Sequence, residues 1–271
     1  MKKIDLIALD LDGTLLDVSG QMTKGAREAI QQAQEAGVQV LLATGRSAQE
    51  AAYFAREAGC GILAAALGGA AVCDTRTGKH IRRWDLPRET GRRALELCLE
   101  REIELMIFAG ETILLDPYSK KRLMEHYRYP AFHDNAIVTE DPIAYLEEHD
   151  LPLTKLHGDG DPARYPLKEL DALEGVSLTA SGDRDFELVP AKVGKGRALA
   201  LMSLLRGVPL ERCAAVGDSP NDLSMLEAVG TPIAMGNANP KVKELACHVV
   251  ADNGHGGVVE AIRWCLEQRS I

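Results

Sequence analysis

Apolar and polar positions alternate with two different periods along the chain. Residues 4–9 form a short, nearly continuous apolar run, as a central parallel strand covered on both faces requires. Thr23 is placed to cap a helix that runs through Ala33 and stops at Gly37. Residues 38–43 form a second buried strand, Ser47 opens a second helix that ends near Gly59, and residues 62–67 form a third strand. The order β-α-β-α-β predicts a doubly wound sheet.

The texture changes between about residues 82 and 186. A helical stretch at 88–101 is followed by short strands at 105–108 and 112–115, and the loops at 127–134 and 158–166 are rich in Pro, Tyr, His and Asp. After Pro190 the first pattern returns, with helices at 195–206, 220–229, 240–246 and 257–268 and strands at 213–216, 231–234 and 248–250. The expected fold class is therefore α/β: a doubly wound, Rossmann-like parallel-sheet core from residues 1–81 and 187–271, interrupted by an inserted α/β domain at 82–186.

Composition narrows the function classes. Thirty-one basic against forty acidic residues give a net charge of -9, and aromatics are only 4%. Such a surface repels nucleic-acid backbones and offers few stacking platforms, so no nucleic-acid partner is expected. No apolar run approaches the roughly 18 residues needed to span a bilayer, and Asp5 and Asp10 interrupt the run after Lys2 and Lys3 that might open a signal peptide. The six cysteines show no C-x-x-C pair and read as small buried hydrophobes of a reducing compartment. The expectation is a cytoplasmic protein, monomeric or homodimeric, with no membrane partner.

Ligands of open parallel sheets bind at the carboxyl ends of the strands. There the chain places Asp10-Leu11-Asp12-Gly13-Thr14, Thr44-Gly45-Arg46 and Gly217-Asp218-Ser219-Pro220-Asn221-Asp222, with Gly194-Lys195-Gly196 opening the returning helix. Aspartates gathered on one rim repel one another unless a hard cation neutralises them, and magnesium with oxygen ligands suits that task. One carboxylate can then attack phosphorus, and a second, two residues later on the same side of an extended chain, can act as general acid and base. A lysine and a threonine suit the charge on transferred phosphoryl oxygens. Each piece alone has a plainer reading: Asp-Gly as a turn, Thr44 or Asp218–Asp222 as helix caps, Lys195 as a solvated first-turn residue. Their convergence in one sheet register favours the chemical reading.

D10-L-D-G-T-L-L, A43-T-G-R, V193-G-K-G and V216-G-D-S-P-N-D resemble the four ordered motifs of the haloacid dehalogenase-like hydrolases. The insertion size, E187-L-V-P and A234-M-G-N-A are similar to the Cof-type branch, whose α/β cap is termed C2B. The resemblance implies Asp10 as nucleophile and magnesium ligand, and Asp12 as general acid/base that also lends its backbone carbonyl to the metal. It implies Thr44, Gly45, Lys195 and Asn221 around the phosphoryl group, Asp218 as a further metal ligand, and Asp222 supporting the metal waters or Lys195. Three departures bear on substrate contacts: Gly68-Gly69 where the family often has Asn-Gly, Lys192 where it often has Gly, and His255-Gly256 before Gly257-Val258. In the cap, Arg184 is a candidate for recognising a sugar hydroxyl or second anion, against the plainer reading of a solvent ion pair with Asp183 or Asp185; His133 and His157 are expected in cap loops.

The expected function is a magnesium-dependent phosphomonoesterase that cleaves a small phosphorylated metabolite, a sugar phosphate foremost, through an aspartyl-phosphate. The alternatives are a phosphomutase of the same superfamily and a non-catalytic metabolite-sensing module.

Overall fold

The four residues of β1 (Leu6–Leu9) are all fully buried, as a strand covered on both faces must be. The computed structural model describes residues 3–126, 136–180 and 184–268. The next strands are β2 (Gln39–Ala43), β3 (Leu63–Ala66), β4 (Ala71–Asp74) and β5 (His80–Arg83). They are followed by β6 (Glu104–Ala109), β7 (Thr112–Leu115), β8 (Ala136–Val138), β9 (Leu153–Asp159), β10 (Val176–Thr179) and β11 (Asp185–Pro190). The last three are β12 (Cys213–Gly217), β13 (Thr231–Ala234) and β14 (His248–Val249). The helices are α1 (Lys24–Glu35), α2 (Ala48–Ala58), α3 (Arg88–Leu99), α4 (Pro117–His126) and α5 (Pro142–Glu148). They continue with α6 (Leu167–Asp171), α7 (Lys195–Leu205), α8 (Leu223–Ala228), α9 (Pro240–Leu245) and α10 (Gly257–Glu267). None of the described helices is long and apolar enough to cross a membrane.

The chain divides into two units, Met1–Ile81 with Gly194–Ile271, and Arg82–Val193. The first holds a sheet in the order β14-β13-β12-β1-β2-β3-β4-β5. β1 pairs in parallel with β2 on one side and β12 on the other, so the strand order reverses at β1. That reversal is a topological switch point, the place where open α/β sheets form a ligand crevice. β3 and β4 pair antiparallel, an extension of the parallel core that the sequence pattern missed. The turn between them runs through Leu67, Gly68 and Gly69, all at positive φ, and a Cβ on Gly69 would lie 2.2 Å from the Gly194 carbonyl.

Local signals set the helix starts. Thr23 Oγ1 accepts from the Ala26 amide at 3.1 Å and caps α1. Ser47 and Glu50 form a reciprocal capping box on α2: Ser47 Oγ accepts from the Glu50 amide, and the Glu50 carboxylate accepts from the Ser47 amide and hydroxyl. The six cysteines are free thiols; Cys73, Cys98, Cys213 and Cys265 are buried, and Cys247 is exposed.

The second unit holds a sheet in the order β10-β11-β9-β6-β7-β8, antiparallel apart from the β7–β8 pair. Its core gathers Leu95, Ile107, Leu156, Phe186 and Leu188. The sequence pattern put the return to the first unit at residue 187, but β11 pairs with β9 and β10 throughout and the return falls after Val193. The apolar run 186–190 reads as a strand of either sheet, and only its partners decide between them.

At Gly196, one residue into α7, a Cβ would lie 2.1 Å from the Ser224 carbonyl oxygen of α8. Gly196→Ala therefore forces the helices apart and is expected to cost about 2 kcal/mol by urea unfolding. Gly25 in α1 meets only ordinary contacts, the nearest at 3.6 Å, so Gly25→Ala should instead stabilise by about 0.5 kcal/mol.

Candidate active site

The residues singled out in the first unit converge on the carboxyl ends of β1, β2 and β12. Asp10 follows β1, Thr44 follows β2, Asp218 follows β12, and Lys195 is the first residue of α7. Asp10, Thr44, Lys195 and Asp222 are buried. At the centre the Lys195 ammonium donates to Asp10 Oδ1 at 2.5 Å, Asp222 Oδ1 at 2.6 Å and Asn221 Oδ1 at 3.2 Å. Asp222 is held in turn by the backbone amides of Asp218 and Ser219, at 2.9 and 3.0 Å from Oδ2. Gly217 is required beside it, because a Cβ there would lie 2.6 Å from the Asp222 carboxylate.

The turn after β1 brings a second group of polar atoms to Asp218. Thr14 Oγ1 donates to Asp218 Oδ1 at 3.3 Å, and Ser219 Oγ donates to Oδ2 at 3.1 Å. Gly13, at φ 79°, leaves room for this approach: a Cβ would lie 2.4 Å from Asp218 Oδ2. Asn237, after β13, donates to the Gly13 carbonyl at 2.9 Å and accepts from the Asn253 amide at 3.1 Å. The sequence reading passed over Asn237, although the A234-M-G-N-A stretch contains it.

Thr44 Oγ1 accepts from the Arg46 amide at 3.1 Å, and Gly45 lies between them in the tight link from β2 to α2. Asp12 is more exposed than Asp10, and its carboxylate is gripped by Arg46, with Nε to Oδ2 at 2.8 Å and Nη2 to Oδ1 at 2.7 Å. Arg46 is the second functional candidate that the sequence reading overlooked.

Charge is unbalanced at this rim. Carboxylate oxygens of Asp10, Asp218 and Asp222 lie within 4.8 Å of one another, with the Lys195 ammonium among them. Burial and repulsion from Asp222 push the Asp10 carboxyl well above the usual range, although Lys195 opposes the shift. Burial and Asp222 likewise push Asp218 up to about 6. Burial alone would lower Lys195, but Asp10 and Asp222 outweigh it and hold the ammonium protonated. An all-oxygen donor set with excess negative charge fits a hard divalent cation. Asp222 is already engaged by Lys195 and two amides, so Asp10 and Asp218 are the carboxylates suited to hold it.

The second unit carries another cluster. Lys155 Nζ lies 2.6 Å from Glu187 Oε1, and His157 Nδ1 lies 3.7 Å from that atom and 3.9 Å from Asp185 Oδ2. His157 belongs to β9 and not to a loop. The Arg184 guanidinium donates to the Gly160 carbonyl at 3.3 Å, and the Arg184 carbonyl accepts from the Tyr165 hydroxyl at 2.5 Å. His133 and Ser181–Asp183 (residues 181–183) lie outside the described residues.

Acidic strand ends around a buried lysine, on a doubly wound sheet carrying an inserted α/β unit, define a scaffold for phosphate-ester hydrolysis. The chain belongs to the haloacid dehalogenase-like hydrolase family, whose model matches residues 7–262. It is 30% identical to the 5-amino-6-(5-phospho-D-ribitylamino)uracil phosphatase YwtE of Bacillus subtilis, over 93% of this chain and 94% of that one. The phosphatase YwpJ of the same organism is 28% identical, over 96% and 99%. A solved haloacid dehalogenase-like hydrolase from B. subtilis superposes with a TM-score of 0.83 at 26% identity, covering 96% of this chain and 99% of that one. The protein is a phosphatase.

A carboxyl group whose folded-state pKa is raised contributes stability at low pH that disappears as pH rises through that value. For Asp218 the window runs from its ordinary 3.8 to about 6. In chelator, Asp218→Asn should therefore gain on the wild type by about 2 kcal/mol between pH 4 and pH 7. Urea unfolding of both proteins across that range measures the gain, and parallel stability curves would contradict the crowding of carboxylates described above.

Proposed function

We propose that the protein is a magnesium-dependent phosphomonoesterase that acts on small phosphorylated metabolites, sugar phosphates foremost, through an aspartyl-phosphate on Asp10. The observation that carries this reading is the Lys195 ammonium 2.5 Å from Asp10, inside a cluster of carboxylates too negative to stand alone. The sugar-phosphate class draws support from the ribityl phosphate ester named for the relative YwtE.

When bound by Asp10, Asp218 and the Asp12 backbone carbonyl, magnesium supplies the positive charge that allows a phosphate dianion onto this rim. Lys195, Thr44, the Gly45 backbone and Asn221 orient the phosphoryl oxygens and spread their charge. An Asp10 carboxylate oxygen then attacks phosphorus. As the bond from phosphorus to the ester oxygen breaks, the protonated Asp12 carboxyl gives its proton to that oxygen and the alcohol departs. In the second half, ionised Asp12 takes a proton from water as the water oxygen attacks phosphorus. The Asp10–phosphorus bond breaks, inorganic phosphate leaves, and both aspartates return to their starting states. Asp222 touches no substrate in this scheme; it keeps Lys195 in place.

Asp10→Asn removes the anionic nucleophile while keeping its shape, so kcat should fall by about 10³-fold or more with the unfolding transition preserved. A variant retaining a tenth of wild-type turnover would remove Asp10 from the covalent step. Chelation should abolish turnover, and magnesium should both restore it and raise the wild-type Tm more than that of Asp218→Asn. Calcium, with its looser geometry, should raise Tm without restoring turnover. Phosphorus NMR of a sugar phosphate under turnover should show inorganic phosphate, whereas an isomeric ester would mark a phosphomutase.

A further inference from the structure

Asp12 cannot deliver a proton in line with the scissile bond unless something fixes its side chain, for it stands at the rim with 55% of that side chain exposed. We propose that Arg46 is the positioning residue for Asp12, and that the capping box of α2 is what makes Arg46 rigid enough to serve. The inference rests on the acid/base reading of Asp12 given above.

The geometry is a fork meeting a carboxylate. Arg46 Nε and Nη2 reach the two Asp12 oxygens separately, at 2.8 and 2.7 Å, which fixes both the direction and the rotation of the carboxylate plane. A single ammonium at that place would attract Asp12 without fixing its plane.

Arg46 is itself held from the far side. Its Nη1 donates to Glu50 Oε1 at 3.2 Å, and its guanidinium carbon lies 5.1 Å from the Phe54 ring centre. The Arg46 side chain is only 11% exposed and that of Glu50 only 3%. Glu50 owes its place to the start of α2, where its other oxygen, Oε2, accepts from the Ser47 amide and hydroxyl at 3.1 and 2.8 Å. Ser47, Glu50 and Phe54 thus form a frame on one helix, Arg46 projects from that frame, and Asp12 on the loop after β1 closes against it. Of this series only Asp12 is substantially exposed, as the group that must meet substrate should be.

Arg46 grips Asp12 with two forked nitrogens, whereas Asp10 is held by the Lys195 ammonium. Removal of Arg46 should therefore slow transfer to Asp10 from an ester that needs the Asp12 proton more than transfer from one that does not. Leaving-group dependence separates these. An alkyl ester needs protonation of its departing oxygen, while p-nitrophenolate departs with little help.

The test compares wild type, Asp12→Asn, Arg46→Gln, Arg46→Lys and the double variant Asp12→Asn/Arg46→Gln. Each is assayed in magnesium on glycerol 2-phosphate and on p-nitrophenyl phosphate. Arg46→Gln should lower kcat/KM on the alkyl ester by about tenfold or more, a part of what general acid catalysis supplies, since kcat/KM reports transfer to Asp10 and leaves out the shared hydrolysis of the aspartyl-phosphate. On the aryl ester the loss should stay below about threefold. Arg46→Lys keeps the charge without the fork and should fall between wild type and Arg46→Gln. Adding Arg46→Gln to Asp12→Asn should cost nothing further. Equal losses on both esters, a full additive loss in the double variant, or wild-type behaviour of Arg46→Lys would each overturn the positioning role. If Asp12→Asn itself loses equally on both esters, the acid/base reading fails and the inference falls with it; a selective Asp12→Asn with an unselective Arg46→Gln removes only the inference. Should Arg46→Gln unfold because Glu50 is left buried without a counter-charge, Arg46→Lys keeps a cation there and carries the comparison.

Discussion

A buried ammonium needs partners on every side, and the first unit is organised around satisfying that of Lys195. Removing an ion from water costs several kcal/mol, and only close, well-placed counter-charges offset it. Asp10 comes from the end of β1 and Asp222 from the turn after β12, so both strands must finish in register beside the first turn of α7. The glycines follow from this requirement. Gly217 lets Asp222 approach β12, Gly196 lets α7 approach α8, and Gly13 lets the turn after β1 close on Asp218. A mismatch at any of these contacts would leave a charge buried without its partner.

The two clusters of ionisable side chains contain similar residue types and differ in balance. In the second unit, Lys155 stands against Glu187, with His157 beside it, and those neighbours overcome the effect of burial to hold the Glu187 carboxyl well below its usual range. There the close Lys155 ammonium, with His157, outweighs burial at its carboxylate partner, as in a structural ion pair. At the rim of the first unit, one ammonium faces three carboxylates, and the carboxyl pKa values move upward. Excess charge of one sign marks the place where a ligand of the other sign belongs. Residue identity alone does not separate the two clusters.

Much of the first unit was legible in the sequence because its signals are local. The apolar runs that became β1, β2 and β12 are bounded by turn residues, and the acidic residues stand directly after them. Thr23 and Ser47 announced their helices. What escaped depended on partners distant in sequence. The run at 186–190 suits either sheet, and its pairing with β9 placed it in the second unit. His157 read as a loop residue because Gly158 and Gly160 follow it, although the strand continues to Asp159. The fork between Arg46 and Asp12 spans thirty-four residues and leaves no periodic trace. The capping box Ser47-x-x-Glu50 was a readable signal, but nothing in the one-dimensional pattern says that its glutamate also grips an arginine.

The turn joining β3 to β4 shows how two adjacent glycines can be required for different reasons. Gly68 sits at φ 65° and ψ 20°, a conformation that asparagine adopts more readily than other side chains. Gly69 sits at φ 94° with its missing side chain against the backbone that opens α7, where any carbon would collide with Gly194. At the first position the backbone conformation itself is open to asparagine as well as glycine. At the second position every exchange displaces the helix that carries Lys195. The backbone alone sets the limit at residue 68 that its conformation imposes, while at residue 69 the packing of α7 adds a second and stricter limit, so a change there is felt at the lysine that opens that helix.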